Sequence, residues 1–272
     1  MNAQTLLMIL FAMIAVTPSR ATREVAWTAA GSVQPSTLLA RAVPFENNWW
    51  ITETNHFAIT FRAIDSADLD DIARAAERAY QRTASALGHQ LSTRPLIVVY
   101  ATRADLRRAV ASRAFPGNRE HLLWALDTPR RQSDGDFVHE LVHVFTFDVV
   151  PVTVRRDLPT WLQEGFAELQ RGKWDESDRR VVRELVRTKT LPALGTLSRD
   201  DSANAPAVQK VVGHLALDFI VTRAGPDAMK RILLALRENV SDPLDTCVAA
   251  SGLSRPEFDR QLAQYVERRF AP

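Results

Sequence analysis

A segment as apolar as Asp136 to Phe147 belongs in a buried helix, yet it carries His139, Glu140 and His143 in the order His-Glu-Leu-Val-His. Residues four apart on a helix share one face and lie about one turn apart, so both imidazoles can reach a single zinc ion. Glu140 is rotated away from the pair, far enough to face a water on the metal, and a carboxylate there can take that water's proton. Ser133, Asp134 and Asp136 are available to cap the start of the helix.

Catalytic zinc usually has three protein ligands and an open position. The next helical segment runs Pro159, Thr160, Trp161, Leu162, Gln163, Glu164, Gly165, Phe166, Ala167, Glu168. Thr160 and Gln163 have the spacing of a capping box, which predicts a helix beginning there. Glu164 then falls in its first turns, where it can project toward the histidine pair. Glu168 lies four residues on, on the same face, placed to accept a hydrogen bond from the far ring nitrogen of His139 or His143. Gly165 beside Glu164 would let the two helices approach closely.

The rest of the chain changes character near Ser133. Before it, from Trp49, residues 55–61 alternate like a half-buried strand, Ser66 to Leu87 follows helical spacing and Gly88 stops it. Pro95 to Tyr100 reads as an apolar strand, 104–111 as a short helix and Leu122 to Leu126 as a further strand. After it every periodic segment is helical, with candidate spans 136–149, 160–171, 176–188, 207–224, 226–239 and 256–269. The expected class is α+β: a small N-terminal mixed sheet with helices over 49–132, then an all-helical part over 133–272. The charged residues of 176–188, Asp175, Glu176, Asp178, Arg179 and Arg180, read as a solvated face. Trp49, Trp50 and Trp161 read either as core or as the lining of a groove.

The 272 residues are 46% hydrophobic, with 34 basic against 32 acidic side chains and no long block of like charge. That balance gives no reason to expect nucleic acid as a partner. Cys247 is the single cysteine, so neither an intramolecular disulfide nor a thiolate metal cluster is available. Leu6 to Val16 is an uninterrupted apolar run followed by Ser19 and Ala21, the pattern of a signal peptide over 1–21. The mature protein is then expected in the periplasm or secreted, without stable membrane insertion; an uncleaved N-terminal anchor is the alternative. Residues 22–48, with Gly31, Pro35 and Pro44, read as a lead-in segment.

Taken together, HELVH followed by LPTWLQEGFAE resembles the gluzincin zinc metallopeptidases, and is most similar to the bacterial peptidase-MA-like domains, over roughly residues 49–270. The resemblance implies a zinc-dependent hydrolase of peptide bonds acting on a peptide or protein substrate. It implies His139, His143 and Glu164 as ligands, with Glu164 rather than Glu168 as the third, and Glu140 as the catalytic base. It also implies that Leu122 to Leu126 is an edge strand that binds extended peptide. Relatives often carry a tyrosine near the region occupied here by Ala205 to Val212 as an oxyanion stabiliser, and this chain has none there. His214 can supply such a hydrogen bond as a catalytic residue, or else be a satisfied histidine on an apolar helix. The other functions left open are a non-proteolytic zinc domain that docks a partner and an amidase acting on a cell-wall peptide.

Overall fold

The computed structural model describes residues 42–44, 48–62, 66–112, 121–125, 133–155, 157–197, 206–238 and 242–270. The signal segment and nearly all of 22–48 lie outside them. Among the described residues no helix is long and apolar enough to cross a membrane. The fold is α+β, and the described chain divides into two compact units. One holds the residues up to Tyr80 and Thr93–Phe137; the other holds Gln81–Ser92 and the residues from Val138 onward.

The first unit is built on a sheet of five described strands in sequential order: β1 (Val43–Pro44), β2 (Trp50–Glu53), β3 (Ala58–Phe61), β4 (Leu96–Tyr100) and β5 (His121–Ala125). β1, β2 and β3 pair antiparallel, whereas β3, β4 and β5 run parallel. Parallel neighbours need crossover connections. These contain α1 (Ser66–Leu87) and α2 (Arg103–Ser112). Leu96-Ile97-Val98-Val99-Tyr100 is apolar without alternation because both faces of β4 are covered, and all five residues are buried. On one face Leu96, Val98 and Tyr100 pack with Trp49, Ala109 and Leu106. Trp49 is therefore core, edge-on to Tyr100 at 5.4 Å between ring centres.

Two expectations change here. Val43 and Pro44, read as lead-in, pair with Ile51 and Trp50. The alternation at 55–61 is only partly strand: β3 begins at Ala58, and residues 54–57 form the turn from β2, which the spacing did not predict. The cause is a partner distant in sequence. Glu77 on α1 accepts hydrogen bonds from Thr54 Oγ1 (2.6 Å) and the His56 backbone N–H (3.0 Å), and its other oxygen lies 2.6 Å from His56 Nδ1. The His56 ring stacks on Tyr80 at 3.8 Å.

Burial opposes ionisation of Glu77, but the hydrogen bonds from Thr54 and His56 outweigh it and hold its pKa below the ordinary 4.5. A carboxylate lowered in the folded state contributes its stability in full above the ordinary value and loses it as pH falls through the folded one. Glu77→Gln is thus expected to lower Tm at neutral pH, and the gap to wild type to close as the pH falls below the ordinary value of 4.5 and through the lowered one. Thermal melts across pH check this; a gap that stays constant down to acid would show that the clamp does not depend on charge.

The second unit is helical, and α3 (Ser133–Val149) runs into it from Val138. There follow α4 (Val152–Arg155), α5 (Thr160–Arg171), α6 (Glu176–Thr188), α7 (Pro206–Ala224), α8 (Ala228–Arg237), α9 (Pro243–Ser251) and α10 (Arg255–Phe270). α9 was not expected. Its start is fixed by Asp242, whose carboxylate accepts from the N–H groups of Leu244 and Asp245, with Pro243 in the first turn. Its end is Gly252 at φ +73°. Cys247 on this helix is buried.

α7 is the centre of this unit, apolar nearly all round and buried at Val211, Val212, Leu215, Ala216, Leu217 and Ile220 among others. It crosses α5 at a glycine pair. A Cβ on Gly165 would stand 2.6 Å from the Gly213 carbonyl carbon, and one on Gly213 would stand 1.8 Å from the Trp161 carbonyl oxygen. Gly165 does allow a close helix approach, but the partner is α7, whereas the expectation was the histidine helix. Trp161 is 1% exposed and packed in this core, not in a groove.

Candidate metal centre

Three turns of local structure aim the side chains. α3 presents His139 and His143 one turn apart, flanked by the fully buried Leu141, Val142 and Phe145. The chain then turns through α4 and the buried Leu158 into α5. The expected capping box is not formed. Pro159 occupies the cap position, Thr160 is already helical, and the Gln163 amide donates to the Leu158 carbonyl at 2.9 Å. The Gln163 side chain thereby satisfies a carbonyl just before the helix, in place of the cap N–H.

With that entry, Glu164 meets the histidine pair. Its Oε2 lies 3.7 Å from His139 Nε2 and its Oε1 3.7 Å from His143 Nε2, while the two Nε2 atoms are 3.3 Å apart. One ligand atom from each of the three residues lies within 4.8 Å of the others. Ligands at about 2.1 Å around a tetrahedral zinc ion stand about 3.4 Å from one another, and the observed separations fall on either side of that value. The donor set is two imidazoles and a carboxylate, the chemistry zinc accepts. The residues present therefore fit a single zinc ion with one position left for a small molecule. Glu140, on the same helix, is exposed.

Behind the cluster, Glu168 Oε1 faces His139 Nδ1 at 3.3 Å. A hydrogen on Nδ1 leaves the Nε2 lone pair directed at Glu164 and His143, the orientation that metal ligation requires. Glu168 is 2% exposed. Burial alone would raise its pKa; the hydrogen bond from His139 and the charges of Lys210 and Arg171 overcome this and bring it to about 2. Burial and the charge of His139 pull His143 down to about 4, so its ring is neutral at neutral pH, the form that ligates metal. His139 is held above its ordinary value, because burial is outweighed by the Glu168 hydrogen bond and the charges of Glu140 and Glu164. Glu164 is raised, chiefly by burial and further by the charge of Glu168.

His214 is the site candidate that the structure does not bring into the cluster. It is 3% exposed on α7, its ring stacked on Trp174 at 3.9 Å with only 5° between the planes. Burial takes its pKa down to about 4, which keeps it an uncharged interior ring. The packing role accounts for it and the oxyanion role has no support. Tyr265 gives its hydroxyl hydrogen to Asp218 at 2.9 Å.

The charged groups behind Glu168 were missed. Arg171 donates to Glu168 Oε2 at 3.3 Å and to Asp175 at 2.8 Å. Lys210 Nζ lies 3.7 Å from Glu168 Oε1 and 2.8 Å from Asp178 Oδ1. Asp178, expected on a solvated face, is 3% exposed. Its own helix carries no signal of this, because its partner sits on α7.

No protein-family model matches this chain, and neither does any curated protein.

Proposed function

We propose that this protein is a zinc-dependent peptidase of the gluzincin type, hydrolysing peptide bonds in an exported compartment. The observation that carries the reading is the convergence of His139, His143 and Glu164 at 3.3 to 3.7 Å, with Glu168 behind His139. His139, His143 and Glu164 would hold the ion, which when bound supplies Lewis acidity that acidifies water and polarises a carbonyl. Glu140 is the general base: its carboxylate accepts a proton from the attacking water as the new C–O bond forms. The same carboxyl group then delivers that proton to the departing amide nitrogen as the C–N bond breaks. Glu168 holds the hydrogen on Nδ1 of His139. β5 is the terminal strand of the sheet among the described residues, and this reading assigns to it the binding of an extended peptide.

The test is metal content and cleavage together. The protein is expected to bind about one zinc ion per chain and to cut members of a random peptide library. A chelator should abolish cutting and added zinc restore it. Zinc bound without cleavage would turn the assignment to a metal-stabilised docking domain; absence of zinc binding would remove it altogether.

A further inference from the structure

We propose that Lys210 is a positioning residue for the metal site, its ammonium anchored by Asp178 and holding the Glu168 carboxylate against Nδ1 of His139. The proposal rests on the metal-site reading above and extends it to a lysine two helices away from the histidines.

The placement of Lys210 follows from the glycine crossing. Gly165 on α5 and Gly213 on α7 touch backbone to backbone. Three residues after Gly165 comes Glu168, and three residues before Gly213 comes Lys210. Those two side chains meet at 3.7 Å, so the helices cross in opposite chain directions and one turn away from the glycines brings the lysine onto the glutamate. The crossing thus sets a register in which a cation from α7 reaches the back of the histidine cluster.

The two oxygens of Glu168 have different partners. Oε2 faces Arg171, a neighbour on the same helix that is itself drawn toward Asp175. Oε1 is the oxygen that faces His139, and Lys210 is the cation at that oxygen. Removing Lys210 leaves only the Arg171 side, which pulls the carboxylate along α5 and off the imidazole. Asp178 completes the arrangement. It is 3% exposed, it touches Lys210 at 2.8 Å, and its second oxygen has no hydrogen-bond partner among the described residues. A buried carboxylate so sparsely satisfied is weak support for stability. What it does secure is the position of the Lys210 ammonium, which would otherwise swing to solvent on a flexible stem. The orientation of a metal-bound imidazole is set by such partners of its distal nitrogen.

Zinc affinity measured by chelator competition on the full chain tests this. Lys210→Met keeps the stem and removes the charge, and should weaken zinc binding by about tenfold or more. Lys210→Arg keeps a cation and should retain most of the affinity. In the metal-free protein, imidazole nitrogen shifts should report hydrogen on Nδ1 of His139 in the wild type and a mixture of tautomers in Lys210→Met. A lysine that served stability alone would lower Tm and leave both readouts unmoved. If the wild type binds zinc and Lys210→Met binds it equally well, this proposal is overturned while the metal-site reading stands. If the wild type binds no zinc, both fall. Should Lys210→Met fail to fold, Asp178→Asn carries the same comparison, and unchanged zinc affinity there overturns the proposal.

Discussion

Glu140→Gln should bind zinc as the wild type does and cleave peptide about a thousandfold more slowly. The two halves of that outcome come from different features. Zinc retention follows from the ligand set, because the three groups that converge are His139, His143 and Glu164, and Glu140 is not among them. Glutamine matches glutamate in shape, so the substitution disturbs neither α3 nor the buried Leu141 and Val142 beside it. The loss of rate follows from protonation chemistry. An amide oxygen is too weak a base to take a proton from water at neutral pH, and an amide has no acidic proton to pass on to the leaving nitrogen. A thousandfold corresponds to about 4 kcal/mol of transition-state stabilisation. The measurement is kcat/KM on a peptide that the wild type cuts, with metal content determined on the same preparations. Loss of zinc along with activity would show that Glu140 supports the ligand shell; undiminished cleavage would remove it from the chemistry.

The parts of this molecule that were legible in its sequence are those whose causes are local. Ser66–Leu87, Thr160–Arg171 and Glu176–Thr188 lie where apolar spacing put them. Periodicity decides those spans without reference to the rest of the chain, with Gly88 and Gly172, both at positive φ, closing the first two. The approach of Glu164 to the histidines was legible for a related reason: a helix that starts at Thr160 puts residue 164 one turn in. What was illegible depends on partners far along the chain. Whether 54–57 continues a strand or turns depends on Glu77, and whether Asp178 faces water depends on Lys210. Asp178 sits in a run of alternating charge that reads as solvated in any local window. Gln163 fits a capping box by spacing, yet Pro159 and the Leu158 carbonyl redirect its amide. The residue type and interval were right in that case, and a neighbour outside the motif decided the contact.

The glycine crossing gives the second large effect. Gly213→Ala should destabilise the protein by about 3 kcal/mol and lower Tm by on the order of 10 °C. In a free helix the same change is favourable, since alanine is the better helix former by about 1 kcal/mol, so the sign is decided entirely by packing. The added methyl would lie 1.8 Å from the Trp161 carbonyl oxygen and 3.2 Å from the Gly165 Cα. Both are backbone atoms, so no side-chain rotation relieves the contact and the helices must part. Trp161, Leu162 and Phe166 on α5, each at most 1% exposed, would then lose contacts that an interior packed at crystal density cannot replace. Gly195→Ala is the matched control, because among the described residues a Cβ there meets nothing closer than a Leu244 methyl at 3.5 Å, and it should change stability by less than about 1 kcal/mol. Thermal or urea unfolding of both variants makes the comparison. Zinc affinity should fall in Gly213→Ala as well, since parting α5 from α7 moves the ligand Glu164 with α5 and carries Glu168 away from Lys210. A Gly213→Ala protein as stable as Gly195→Ala would mean that the two helices do not cross at this pair.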